Sequence, residues 1–101
     1  MDINQEIENL VNDNRVVLFM KGSPTFPQCG FSSRTVEALK ACETEFIHVD
    51  VLQQPEVRQN LPQFSQWPTF PQLFIDGELV GGCDIVLDLF QRGELKKLVT
   101  P

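Results

Sequence analysis

Three cysteines, at positions 29, 42 and 83, are the residues of this 101-residue chain best suited to chemistry. Cys29 stands where a Gly/Pro-punctuated loop, Lys21 to Gln28, gives way to a helix-forming stretch. The first turn of a helix carries unpaired N–H groups and a partial positive charge. A thiolate is stabilised there, so the Cys29 pKa is expected to fall below the roughly 8.5 of a free cysteine. Lys21, at the other end of the loop, brings an ammonium that can lie near the sulfur or near an anionic ligand. Ser32 occupies the position where a redox dithiol would carry its second cysteine, so no local disulfide can close. Cys29 must therefore work with a thiol from elsewhere or with a metal. The alternative is that Cys29 is a small buried residue, as free cysteine often is; its place at a loop–helix junction argues for function.

The other two cysteines read differently. Cys42 shares a helical face with Val36 and Leu39 and reads as core filler. Cys83 lies in Gly81-Gly82-Cys83-Asp84, where the chain turns into a helix. Its backbone N–H there suits an anion. The paired glycines let a ligand approach the main chain, and Asp84 offers a carboxylate to an ammonium or a cap to the helix. In Thr69-Phe70-Pro71 the proline cannot donate to a sheet ladder, so it belongs at the start of a strand or at an edge. It is either an ordinary strand-opening proline or a cis bond that leaves the Phe70 N–H and C=O free to pair with an extended peptide. Arg58 is either a solvated residue or an anion-binding one. Trp67 and Phe31 lie near these segments, although most lone aromatics are core. His48 reads as structural, because no second histidine or close cysteine pair gives zinc spacing.

The elements that must position these groups follow from periodicity. Ile3, Ile7, Leu10 and Val11 give an amphipathic helix over 3–12, with Asp2 and Gln5 as a capping-box variant. The apolar run 15–20 reads as a buried strand. A helix over 30–42 and a strand over 46–52 follow, the strand placing Ile47, Val49 and Val51 on one face. Pro55 opens a third helix, with an apolar stripe of Val57, Leu61 and Phe64, and Pro62 is expected to end or kink it. Asp76-Gly77 between two apolar runs signals a two-residue hairpin. Asp84 then caps a helix carrying Ile85, Leu89 and Phe90, and a last short helix follows Gly93. The order αβαβαββαα requires a right-handed crossover and a parallel pair, then an antiparallel hairpin. The expected architecture is α/β: one domain over 1–101, a four-stranded mixed sheet flanked by about five helices.

Composition removes several function classes. Apolar residues are 42% and charged residues 22%, near the globular norm. The formal charge is −6, from 8 basic against 14 acidic residues, with no basic cluster larger than Lys96-Lys97. Nucleic acid and anionic membrane surfaces are therefore disfavoured partners. No apolar run approaches the ~20 residues of a membrane helix, and the polar start Met1-Asp2-Ile3-Asn4 does not resemble a secretory signal. An odd, widely spaced set of cysteines points to a reducing compartment, so a cytoplasmic location is expected.

Taken together, Lys21, Cys29-Gly30-Phe31-Ser32, Trp67-Pro68-Thr69-Phe70-Pro71 and Gly81-Gly82-Cys83-Asp84 resemble the monothiol glutaredoxins of the CGFS type. The resemblance covers essentially the whole chain; the stretch from Pro24 to Pro27 is its variable part. It implies a thioredoxin fold with Pro71 as a cis-proline facing Cys29. It implies a glutathione site in which Lys21 and Arg58 hold the glycine carboxylate, with Gln28 or Asn60 assisting. Phe70 would pair through its backbone with the cysteinyl unit, and the Cys83 N–H and Asp84 would hold the γ-glutamyl end. It also implies a homodimer bridged by a [2Fe-2S] cluster, each copy giving Cys29 and each bound glutathione its thiol. The implied partners are BolA-type proteins, cluster scaffolds and apo-acceptor proteins.

Two readings of different class follow. The first is a carrier of iron–sulfur clusters in their assembly, storage and transfer. The second is a glutathione-dependent thiol–disulfide oxidoreductase with Cys29 as its single nucleophile. A redox sensor with a Cys29–Cys83 disulfide is a third option. Ser32 favours the carrier.

Overall fold

The computed structural model describes residues 2–101. Helix α1 spans Ile3–Asp13, strand β1 Val16–Met20, α2 Gly30–Ala41, β2 Ile47–Asp50 and α3 Pro55–Ser65. The hairpin strands β3 and β4 span Gln72–Ile75 and Glu78–Gly81, and helices α4, Cys83–Gln91, and α5, Glu94–Val99, close the chain. The sheet order is β2-β1-β3-β4, with β1 parallel to β2 and antiparallel to β3, and β3 antiparallel to β4.

β1 is central and buried along its whole length, as its unbroken apolar run requires. Its side chains alternate between two cores. Val16, Leu18 and Met20 join Val36 and Leu39 of α2, Val86 of α4 and Leu95 and Val99 of α5. Val17 and Phe19 face the other way and join Ile7 and Val11 of α1, Val57 and Leu61 of α3, and Phe74. Cys42 is buried in the first core, as its helical spacing suggests. The hairpin turn places Asp76 at φ 53° and Gly77 at φ 81°, the pair of positive angles that a two-residue turn of this hand needs. Asp2 caps α1, its carboxylate accepting from the Gln5 N–H at 2.8 Å.

Three expectations are corrected. The second strand is shorter than 46–52, and as the sheet edge it leaves Ile47 exposed. Of the two outcomes expected at Pro62, an end or a kink, the first does not occur: α3 continues to Ser65. A proline this late costs one main-chain bond, and the helix closes beyond it in a left-handed turn: Gln66 has φ 58° and the Trp67 N–H donates to the Pro62 carbonyl at 3.2 Å. Asp84 is not the cap of α4. Gly82 holds that place, and Asp84 lies within the first turn.

The loop between β1 and α2 is cinched at its base. The Gln28 N–H donates to the Lys21 carbonyl at 2.9 Å. The Asp50 carboxylate, at the end of β2, accepts from the N–H groups of Gly22 and Leu52 at 2.9 and 3.0 Å. Gly22 has φ +89°, and a Cβ there would lie 2.5 Å from the Phe26 carbonyl oxygen and 2.6 Å from the Gln28 nitrogen. Both obstacles are backbone, so neither can swing aside. Gly22→Ala is expected to destabilise the protein by about 2 kcal/mol or more, a fall in Tm on the order of 10 °C, read by thermal denaturation. An unchanged Tm would show that the loop does not need this geometry.

Candidate active site

Cys29 is the N-cap residue of α2, half-buried, with extended backbone. No side chain forms a conventional cap, so the first-turn N–H groups are left for the sulfur to attract. The thiol is held below its ordinary pKa, chiefly by the Ser32 N–H. Partial burial opposes this, while the Phe31 N–H, the Lys21 ammonium and the Ser32 hydroxyl reinforce it. Cys42 behaves in the opposite way: burial pushes its thiol up, against a small pull from Lys96. The acidified, partly open sulfur is therefore Cys29, as its place at a helix start implies.

Ser32 does more than replace a second thiol. It is fully buried, and its hydroxyl oxygen accepts from the Lys21 N–H at 3.2 Å. That bond ties the end of β1 to the first turn of α2, across the base of the loop. Sequence alone marks Ser32 by the thiol it lacks, and gives Asp50 a place on a strand face but no role. A serine beside a candidate thiolate, and an aspartate ending an apolar strand, were the signals available.

Beside Cys29 opens a groove of about 810 Å³, within the roughly 300–1,000 Å³ usual for small-molecule sites. Lys21, Cys29, Arg58, Phe70, Cys83 and Asp84 all line it, drawn from four separate regions of the chain. Trp67 and Phe31 line it as well. Gln28 and Asn60 do not; the Gln28 amide donates to the Phe26 carbonyl and the Asn60 amide to the Glu56 carbonyl. His48 is exposed on β2 and lies outside the groove.

The peptide bond between Phe70 and Pro71 is cis. Pro71 is buried against the groove floor, and no backbone partner is found for Phe70 among the described residues. Gly82 packs against Trp67 so closely that a Cβ would lie 3.2 Å from the indole nitrogen and 3.3 Å from the Pro71 carbonyl oxygen. A glycine cap leaves the first amides of α4 without a side-chain acceptor, so they can receive an anion from outside. Cations at Lys21 and Arg58, free amides at Cys83 and a carboxylate at Asp84 suit an extended ligand carrying both charges. Among the described residues no group of three metal-ligating side chains exists that could hold an ion alone, and no helix is long and apolar enough to cross a membrane.

Because each cause of the low Cys29 pKa stabilises the anion, removing one must move the ionisation to higher pH. Ser32→Ala and Lys21→Ala are both expected to raise the midpoint of iodoacetamide alkylation at Cys29. Cys42 should stay unmodified in the folded protein throughout. A midpoint that does not move in either variant would show that neither group supports the thiolate.

Residues 16–80 match the family model of glutaredoxin. Glutaredoxin 4 of Pasteurella multocida (strain Pm70) is 54% identical over 99 residues, covering 98% of this chain and 91% of that protein. The solution structure of reduced apo GrxS14 from poplar aligns with a TM-score of 0.81 and 46% identity, over 94% of this chain and 87% of that one. A buckwheat glutaredoxin, solved as its glutathione complex, aligns with a TM-score of 0.83 and 27% identity, over 95% of this chain and 86% of that one. The mixed four-stranded sheet with five helices is the thioredoxin fold these structures share. With a family model spanning most of its sheet and relatives this similar along nearly its full length, the chain belongs to the glutaredoxin family.

Proposed function

We propose that this glutaredoxin binds glutathione along the Cys29 groove and, as a pair of copies, carries a [2Fe-2S] cluster as cargo for assembly, storage and delivery. The observation that carries this reading is the solitude of one usable thiol. Cys29 is acidified and partly open, whereas Cys42 and Cys83 are buried and Ser32 stands where a second active-site cysteine would be. A cluster of this kind takes four thiolates. One copy supplies one, and two copies with two thiol tripeptides, the set that the family resemblance implies, complete the count as a symmetric pair. Ligands that are not part of the chain also leave readily, which suits a carrier.

In this reading Lys21 and Arg58 pair with the glycine carboxylate of glutathione. The Phe70 main chain pairs with its cysteinyl unit. The Cys83 N–H and the Asp84 carboxylate receive the γ-glutamyl carboxylate and ammonium. Glutathione then lies with its thiol toward Cys29. Partners would be BolA-type proteins, cluster scaffolds and apo-acceptors, in the cytoplasm. The complex of the buckwheat relative with glutathione supports the tripeptide part of the reading.

The low pKa of Cys29 also favours a second reading, deglutathionylation. There the Cys29 thiolate attacks the glutathione sulfur of a protein mixed disulfide, and the protein thiolate leaves. A second glutathione thiolate attacks the Cys29 adduct, releasing oxidised glutathione and the free Cys29 thiolate.

Anaerobic reconstitution with iron, sulfide and glutathione is expected to give a brown dimer with thiolate-to-iron charge-transfer bands. Cys29→Ser should stay colourless and Cys42→Ser should still assemble. A colourless wild type that reduces mixed disulfides briskly would establish the second reading instead. Lys21→Ala should weaken glutathione binding about tenfold, the effect of losing one charged partner, and calorimetry measures it directly.

A further inference from the structure

β3 opens on Gln72, a polar residue heading an apolar strand and fully buried. Its amide nitrogen donates to the Trp67 carbonyl at 2.8 Å and to the Thr69 carbonyl at 3.1 Å. Its amide oxygen is buried with no partner among the described residues. A buried acceptor left unpaired opposes folding. Methionine has nearly the same length and shape and would fill the site without that defect. What glutamine supplies, and methionine does not, is a pair of donors to the segment between α3 and β3.

Those donors bear on the groove through the planarity of the peptide unit. The Thr69 carbonyl and the Phe70 N–H belong to one trans peptide, so they point in opposite directions. Holding the carbonyl against the buried amide turns the Phe70 N–H away from the core. The second bond, to Trp67, pins the other end of the same short segment. Trp67, Thr69 and Phe70 all line the groove.

We infer that Gln72 is a positioning residue for tripeptide recognition: by holding the Trp67 and Thr69 carbonyls it aims the Phe70 N–H at the ligand backbone. It touches no ligand itself. This rests on the glutathione reading above.

The test uses the full chain as wild type, Gln72→Met and Gln72→Glu. Glutathione affinity is measured by calorimetry, the Cys29 alkylation midpoint by iodoacetamide, and Phe70 backbone order by NMR relaxation. For Gln72→Met, affinity should fall about five- to tenfold, the effect of one well-formed hydrogen bond. The Phe70 order parameter should drop, while Leu73 and Phe74 and the Cys29 midpoint hold. Gln72→Glu keeps the shape and loses both donors when ionised. Its deficit against wild type should narrow as pH falls and the acid form regains one donor; it decides the matter if Gln72→Met does not fold. Unchanged affinity with unchanged Phe70 order overturns the inference, as does a parallel shift of the Cys29 midpoint, which would mark general loosening. If wild type binds no glutathione, the glutathione reading fails by itself, and the Phe70 order parameter still decides whether Gln72 holds the segment.

Discussion

A sulfur atom set against the positive end of α2 is the interaction on which the rest of this structure turns. Its stabilisation is short in range, because helix-end effects fade within the first turn. The N–H groups of Ser32 and Phe31 act on Cys29 only while the loop delivers the sulfur to that turn. The loop is accordingly tied from three sides. Main-chain bonding at Lys21 and Gln28 closes its base, the Asp50 carboxylate holds Gly22, and the buried Ser32 hydroxyl takes the Lys21 N–H. Ser32 thus fastens the loop through its hydroxyl and supports the thiolate through its N–H.

The second helix start complements the first. α2 and α4 pack together on one face of the sheet, and both begin at the same groove. A negative chain, −6 overall, keeps Lys21 and Arg58 on this groove, and no salt bridge among the described residues neutralises either. On the proposed reading the match is one of sequence along the ligand: carboxylate to cations, backbone to backbone, then carboxylate and ammonium to free amides and Asp84. Each such contact is modest in water. On that reading their order along the groove, more than any single strength, is what selects an extended dipolar tripeptide and sets its thiol beside Cys29.

Much of this was legible in the sequence because it depends on local chemistry. The apolar run of β1 required burial on both faces, Asp76-Gly77 required a tight turn, and a cysteine after a Gly/Pro loop required a helix start. Two of the misreadings, at Asp84 and Ile47, arise where tertiary contact overrides local rules, and the one at Pro62 where a local turn does. Pro62 looks like a helix terminator, but the left-handed turn at Gln66 satisfies the chain beyond it. Asp84 looks like a cap by residue type. The close packing of Gly82 on Trp67 instead leaves the cap to a glycine and the amides open. Ile47 alternates correctly, yet its place on the edge strand exposes it. Ser32 and Asp50 are harder to read because their partners Lys21 and Gly22 lie across turns and strands; Gln72 bonds to nearby main-chain carbonyls, which its residue type does not announce.

The buried thiols show why a single open one matters. Cys42 faces the core, where burial disfavours its charged form, so it remains a neutral apolar residue. Cys83 contributes its position at a helix start while its side chain stays buried. Cys42 does not compete with Cys29 for metal or disulfide from its closed core, and the Cys83 side chain, on the wall of the same groove, is more deeply buried than that of Cys29. A dithiol at positions 29 and 32 would satisfy itself by oxidation and need nothing further. A lone thiolate is left coordinatively and chemically incomplete, and what completes it must come from solution. On the proposed reading, incompleteness of that kind is what ties the loading and the release of the cargo to small thiols outside the fold, with the chain as one part of a reversible assembly.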